Sequence, residues 1–233
     1  MRLDKMLSIK TPYSRSEIKA LLKKEGALVN GALVKRPETK IDYNDSLMFC
    51  GKQIDTSEFI YVKMNKPKGI LTATKDNRET VVDLLPNEFK VKGIFPVGRL
   101  DKDTTGLLLL TNDGALAHEL LSPKHHVEKS YKVSLDGKLE DYMIEEFNKG
   151  LTLVDGTKLK SADLKILDDN NALITITEGK YHQIKRMFGL YNLGVTALKR
   201  VTFGGITLDK DLDFGQSKLL TNNELKMLKN AKK

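Results

Sequence analysis

Gly98-Arg-Leu-Asp101-Lys-Asp103-Thr-Thr-Gly106-Leu-Leu-Leu-Leu-Thr-Asn-Asp-Gly114 passes from a polar turn straight into an apolar run. The run from Leu107 to Leu110 suits a buried strand and is far too short to span a bilayer. Asp101 is thereby delivered to the edge of a core. Low dielectric raises the pKa of such a carboxyl, whereas a nearby cation lowers it and keeps it ionised as a nucleophile or base. Arg99 and Lys102 flank it, and a cation from elsewhere in the chain is the stronger expectation. A solvated turn ahead of a buried strand accounts for the same residues without chemistry.

The chain has 233 residues, enough for one large domain or for a full domain with a small module attached. Its formal charge of +8 makes a polyanion a reasonable partner. A single cysteine, Cys50, makes no intramolecular disulfide and offers no metal cluster, which fits a reducing compartment. No apolar segment follows Met1-Arg-Leu-Asp-Lys5. A cytoplasmic monomer without membrane contact is expected.

Upstream, Ser14-Arg-Ser-Glu17 has the capping-box pattern and opens a helix to about Lys24, stopped by Gly26. Ile18, Leu21 and Leu22 form its apolar stripe, while Arg15, Lys19 and Lys23 recur at i, i+4 on another face. Ala27-Leu-Val-Asn30-Gly31-Ala-Leu-Val34 reads as a hairpin, because both turn residues tolerate positive φ. A basic helical face beside a hairpin can follow a phosphate backbone without reading bases, and an ordinary solvated helix surface looks the same. Arg2-Leu-Asp-Lys5, Ser14-Arg15-Ser16 with Ile18-Lys19, and Gly26 to Gly31 resemble the S4 RNA-binding module over about the first fifty residues. The resemblance implies structured RNA as partner, with Arg2, Lys5, Arg15, Lys19 and Lys23 as its contacts.

The polar stretch Gly51 to Ser57 marks the boundary, giving a first unit of residues 1–58 and a second of 59–233. Phe59 to Met64 has strand composition and runs into Asn65-Lys66-Pro67-Lys68-Gly69, where Lys66 and Lys68 are expected on a defined loop. Ile70 to Thr74 reads as a further strand and Val81 to Leu85 as a short helix stopped by Pro86. Beyond the opening motif, helices are expected over Ala115–Leu121 and Glu140–Lys149, and between them a strand carrying Tyr131, either core packing or a face on which a base stacks. His125 and His126 are adjacent, point apart and lack a third ligand at suitable spacing, so no metal site is expected. In Glu178-Gly-Lys-Tyr-His182-Gln183-Ile-Lys185-Arg-Met-Phe188, a helical second half buries Ile184, Met187 and Phe188 and leaves Lys185 and Arg186 near its start. Thr221-Asn-Asn-Glu224 opens a last helix with a second capping box.

Asn65-Lys-Pro-x-Gly69, Gly98-Arg-Leu-Asp101-x-Asp-Thr-Thr-Gly106-Leu, Glu128-Lys-x-Tyr131 and Glu178-Gly-x-x-His182-Gln-Ile-Lys185-Arg-Met187 follow the S4-like module in that order. In this order they resemble the RsuA branch of the pseudouridine synthases over nearly the whole chain. The resemblance implies an α+β protein: a small S4-like α/β module, then a synthase domain with a mixed, mostly antiparallel sheet, flanking helices and a central cleft. It implies that Asp101 is the essential aspartate, that Tyr131 packs against the target base, and that Lys185 is the cation paired with Asp101. Arg99, Lys66, His182 and Gln183 join the expected substrate contacts. The expected partner is 16S ribosomal RNA or the assembling small subunit, with uridine 516 as target. Isomerising uridine to pseudouridine changes no oxidation state, so neither cofactor nor metal is required.

Lys185 and the His182-Gln183 pair favour the RsuA branch over its large-subunit relatives, which are the nearest alternative. Two other classes fit some residues. Asp101-x-Asp103-x-Thr105 matches the nucleophile motif of magnesium-dependent phosphotransferases, with Asp168-Asp169 as a later acidic pair. A non-catalytic RNA-binding assembly factor would keep only the first module.

Overall fold

The computed structural model describes residues 1–43, 45–57 and 59–231. Two sheets organise it. In the N-terminal unit, α1 (Leu3–Lys10) and α2 (Arg15–Lys24) precede β1 (Ala27–Val29), β2 (Ala32–Val34), β3 (Leu47–Phe49) and β4 (Lys52–Ile54). These strands form an antiparallel sheet in the order β2-β1-β3-β4. Ser14 and Glu17 make the full reciprocal capping box, and Asn30 and Gly31 both take positive φ in the hairpin turn. Leu3, Leu7, Ile18, Leu22, Leu47 and Phe49 close a small core of their own. Since β4 takes in Lys52–Ile54, three of the seven residues of the polar stretch expected to be linker are sheet.

The second sheet is built from β5 (Tyr61–Lys66), β6 (Phe95–Pro96), β7 (Thr105–Thr111), β8 (Lys129–Leu135), β9 (Asp163–Asp168), β10 (Asn171–Ile176), β11 (Val195–Phe203), β12 (Ile206–Thr207) and β13 (Ser217–Leu219). Its main path runs β13-β5-β7-β11-β8-β10-β9, with β6 on β7 and β12 on β11. Among the described strands the β7–β11 pairing is parallel and the others antiparallel. The helices are α3 (Gly114–Leu121), α4 (Tyr142–Lys149), α5 (Gln183–Gly189) and α6 (Asn222–Asn230). This is the expected α+β architecture with a mixed, mostly antiparallel sheet. No described helix is long and apolar enough to cross a membrane.

The leucine run is continuous because β7 is covered on both faces. Leu108 and Leu110 enter a core with Tyr131, Met187 and Phe188, while Leu107 and Leu109 enter another with α3 and Phe203. A strand buried on both sides has no polar alternation to show. Beside it, the buried ammonium of Lys63 pairs with Asp209 at 2.8 Å and with Glu224, a capping-box residue of α6. That ion pair fastens the last helix to the sheet.

Two local expectations are corrected. Residues 70–74 form no strand beyond an isolated bridge between Leu71 and Thr80. Residues 81–85 form turns rather than a helix, because the Asp83 carboxylate accepts the Thr80 backbone N–H and hydroxyl, both at 2.8 Å, a local closure that competes with a helical turn. Near the N-terminus, Arg2 donates two hydrogen bonds of 3.0 Å to Asp4, whose carboxylate is buried. Burial alone raises that carboxyl, and the Arg2 hydrogen bonds and charge outweigh it, holding Asp4 below the usual range. Arg2 holds this partner with its side chain still 52% exposed, and Lys5, Arg15, Lys19 and Lys23 are exposed as well.

Candidate active site

The segment 98–104 arrives at β7 as a pinned loop. Lys66, the last residue of β5, is fully buried and donates to the carbonyls of Pro67 (3.0 Å), Lys102 (3.3 Å) and Thr104 (3.0 Å). The Thr72 hydroxyl donates to the Leu100 carbonyl at 2.8 Å and accepts the Leu100 N–H at 3.3 Å. Gly69 N–H donates to the Lys102 carbonyl at 2.8 Å, and Thr104 N–H turns back to the Asp101 carbonyl at 3.1 Å. Asp101 thus stands on backbone fixed at several points, with its side chain one-third exposed.

Lys66 is corrected by this arrangement. It lies behind the loop, spends its three donors on backbone carbonyls, and has no path to a substrate. Burial pushes its ammonium down to about 8, opposed by the charges of Asp103 and Asp101. The unfolded chain keeps Lys66 protonated up to about 10.4. Between those two values the unfolded state binds the extra proton, so the Lys66 contribution strengthens stability as pH rises through that window and weakens it as pH falls through about 8. Thermal unfolding followed from pH 8 to about 10 should therefore show a flatter pH dependence for Lys66→Met than for wild type. Parallel curves would contradict that.

Asp101 faces a cleft of about 80 Å³ lined by Arg99, Leu100, Thr104, Tyr131, Ile176, His182, Gln183, Ile184, Lys185 and Leu198. Tyr131 sits on β8, 7 % exposed, paired across the sheet with Ile174 and Arg200. His182 places Nε2 3.5 Å from Asp101 Oδ1, from a left-handed backbone conformation (φ 48°) just before α5. Lys185, on the first turn of α5, is 4.0 Å from Asp101 Oδ2. Its hydrogen bonds go instead to Asp103, at 2.7 and 2.9 Å. The Lys185 hydrogen bond holds the Asp103 carboxyl below its usual range, against a smaller opposing effect of burial. The expected Asp101–Lys185 pair is thus a triad, in which one ammonium lies between two carboxylates and favours Asp103.

Gln183 is buried, and both ends of its amide are used internally. Its Nε2 donates to Glu178 Oε1 at 3.1 Å and its Oε1 accepts Lys180 N–H at 2.9 Å. It therefore holds the turn that presents His182. Arg186 pairs with Asp155 at 2.5 Å, and hydrogen bonds from Thr157 and Arg186 keep that carboxyl down at about 2. Thr104, Ile176 and Leu198 also line the cleft, and Asp103 takes the Lys185 hydrogen bonds, four roles beyond those expected from the sequence. Thr104 and Asp103 lie inside the opening motif. The two apolar residues come from β10 and β11 and are brought in only by strand pairing.

The phosphotransferase alternative fails on topology. Open α/β sheets place their ligands at the carboxyl ends of the strands, whereas Asp101 precedes β7. Asp168 is meanwhile engaged with Asn170 and Asn171 in the β9–β10 hairpin. A roomier hollow of about 420 Å³, lined by Lys10, Tyr13, Phe49, Ile60 and Phe89 among others, lies where the two sheets approach. It contains none of the residues that the motifs select.

Residues 60–189 match the family model described as RNA pseudouridylate synthase. A Bacillus subtilis (strain 168) protein, the uncharacterized RNA pseudouridine synthase YtzG, is 45% identical, the match covering 98% of each chain. The ribosomal small subunit pseudouridine synthase A of Escherichia coli (strain K12) is 35% identical over 97% of this chain and 98% of that protein. A crystal structure of a pseudouridylate synthase superposes with a TM-score of 0.70 at 35% identity, covering 98% of this chain and 99% of that one.

Proposed function

The chain belongs to the RNA pseudouridylate synthase family and is an isomerase of its RsuA branch, and on that premise we propose that it isomerises a uridine of 16S ribosomal RNA, with Asp101 carrying the chemistry. The observation that carries this reading is the Asp101 carboxylate, on its pinned loop, facing a cleft shared with Tyr131 and Lys185. Uridine 516 is the proposed target. The first unit acts as an S4-like RNA-binding module through Arg2, Lys5, Arg15, Lys19 and Lys23, which neutralise phosphates without reading bases.

The reaction breaks the N1–C1′ bond, turns the base and joins C5 to C1′, while the C5 proton leaves and N1 gains one. Atoms and charge balance without a redox partner. Asp101 meets the sugar either as a nucleophile or as the base that removes a sugar proton, and both roles need the ionised carboxylate. Lys185 brings its ammonium to 4.0 Å from that carboxylate. Tyr131 offers a flat wall along which the freed base turns, and the apolar residues around it exclude water that would capture the sugar. Arg99, exposed at the mouth, is placed to hold RNA phosphate or the position the base vacates.

Lys185→Met is expected to slow single-turnover conversion by about a hundredfold and to weaken RNA binding by no more than about threefold. A near-normal rate would remove Lys185 from the mechanism. The proposal as a whole is tested with RNA carrying tritium at uridine C5, since each turnover releases that hydrogen to water. Release from 16S RNA, undiminished when a chelator is added to the folded RNA, is the expected result. Release only from large-subunit RNA would move the target to that subunit, and no release from either would reject the ribosomal assignment.

A further inference from the structure

Tyr181 is the most exposed aromatic side chain among the described residues, at 76 %. Its ring is nevertheless ordered by a neighbour: it stacks on His182 with centroids 3.9 Å apart and planes 19° from parallel. His182 in turn reaches Asp101. The groups therefore run outward from the catalytic carboxylate to the His182 ring, then the Tyr181 ring, then solvent. His182 makes no side-chain cap to α5, so its left-handed backbone conformation, uncommon outside glycine, does not serve the helix in that way. What the conformation does is stack the two rings beside Asp101. A tyrosine this exposed buries little area and gives the fold little.

We propose that Tyr181 is the platform on which the nucleotide next to the target uridine stacks while that uridine occupies the cleft. The proposal rests on the reading of the chain as a synthase acting on RNA. A uridine that enters the cleft leaves its neighbour with one bare face, and unstacking is a principal cost of extruding a base. A flat aromatic ring at the mouth restores that contact. Every base has a π-face, so Tyr181 positions the strand without selecting sequence. Its role is distinct from that of Tyr131, which lies inside the cleft, 7 % exposed, and faces the target base itself.

The test compares wild type, Tyr181→Ala and Tyr181→Phe by tritium release. Each acts on the intact 16S RNA and on two RNAs made abasic at the nucleotide 5′ or 3′ of the target. On intact RNA, Tyr181→Ala should lose about tenfold to a hundredfold in kcat/KM, and Tyr181→Phe, which keeps the ring, should stay within about threefold of wild type. On one of the two abasic RNAs the gap between wild type and Tyr181→Ala should close to about twofold, because the stacking partner is gone. An active wild type with Tyr181→Ala within about twofold of it on intact RNA overturns the proposal. A gap that persists undiminished on both abasic RNAs also overturns it. Wild type inactive on every ribosomal RNA overturns the functional reading itself, and the two failures are thereby distinct.

Discussion

Asp101→Asn is expected to slow uridine isomerisation by at least about a thousandfold, while RNA affinity stays within about threefold of wild type. The substitution keeps the side-chain shape and removes the charge, so it isolates the carboxylate from its surroundings. The loop does not depend on that carboxylate for its form. Its anchors are the Lys66 ammonium, the Thr72 hydroxyl and the backbone bonds of Gly69 and Thr104, none of which reaches the Asp101 side chain. With Lys185 held by Asp103 and His182 in the left-handed turn before α5, the cleft keeps its walls in the variant. Melting temperature should therefore move by less than about 2 °C. Turnover near the wild-type rate would show that the chemistry lies elsewhere.

Gly106→Ala should be the most disruptive single-methyl change in the second sheet. Gly106 has φ +98° and pairs with Lys66 on one side and Arg200 on the other. An added Cβ would lie 2.2 Å from the Arg200 carbonyl oxygen, 2.9 Å from its nitrogen and 3.0 Å from Lys199 Cγ. The nearest atoms are backbone in a central parallel pair, and β7 and β11 must part to admit the methyl. A loss of more than about 4 kcal/mol is expected, or about 8–16 °C in melting temperature for a chain of this size. The catalytic loop enters the sheet one residue earlier, at Thr105, so activity should fall even at temperatures where the variant remains folded. A melting temperature within about 2 °C of wild type would contradict the close approach.

Most of the site is legible in the sequence because it is local. Asp101, Asp103 and Thr104 share one motif, and His182, Gln183 and Lys185 share another. Each motif also carries its own structural signal, the leucine run in one case and the i, i+3, i+4 apolar stripe in the other. What could not be read depends on how separate elements meet. Lys185 lies more than eighty residues along the chain from Asp101 and Asp103, and its choice between two carboxylates two residues apart is settled only by the packing of α5 against the loop. Lys66 misleads for a related reason. Lysine belongs on surfaces by residue type, and only the folded loop supplies the three carbonyls that accept it in the interior. Thr72 similarly spends its hydroxyl on Leu100 rather than extending a strand. The turns at residues 81–85 replace an expected helix too short to nucleate against the Asp83 closure.

The most direct test is a pseudouridine map of ribosomal RNA from cells lacking this protein, complemented with wild type or with Asp101→Asn. Loss of a single 16S site in the deletion, restored by wild type and not by Asp101→Asn, is the expected result, and it would identify the target uridine at the same time. An unchanged map in both subunits, or full restoration by Asp101→Asn, would contradict the assignment of the chemistry to Asp101 on ribosomal RNA.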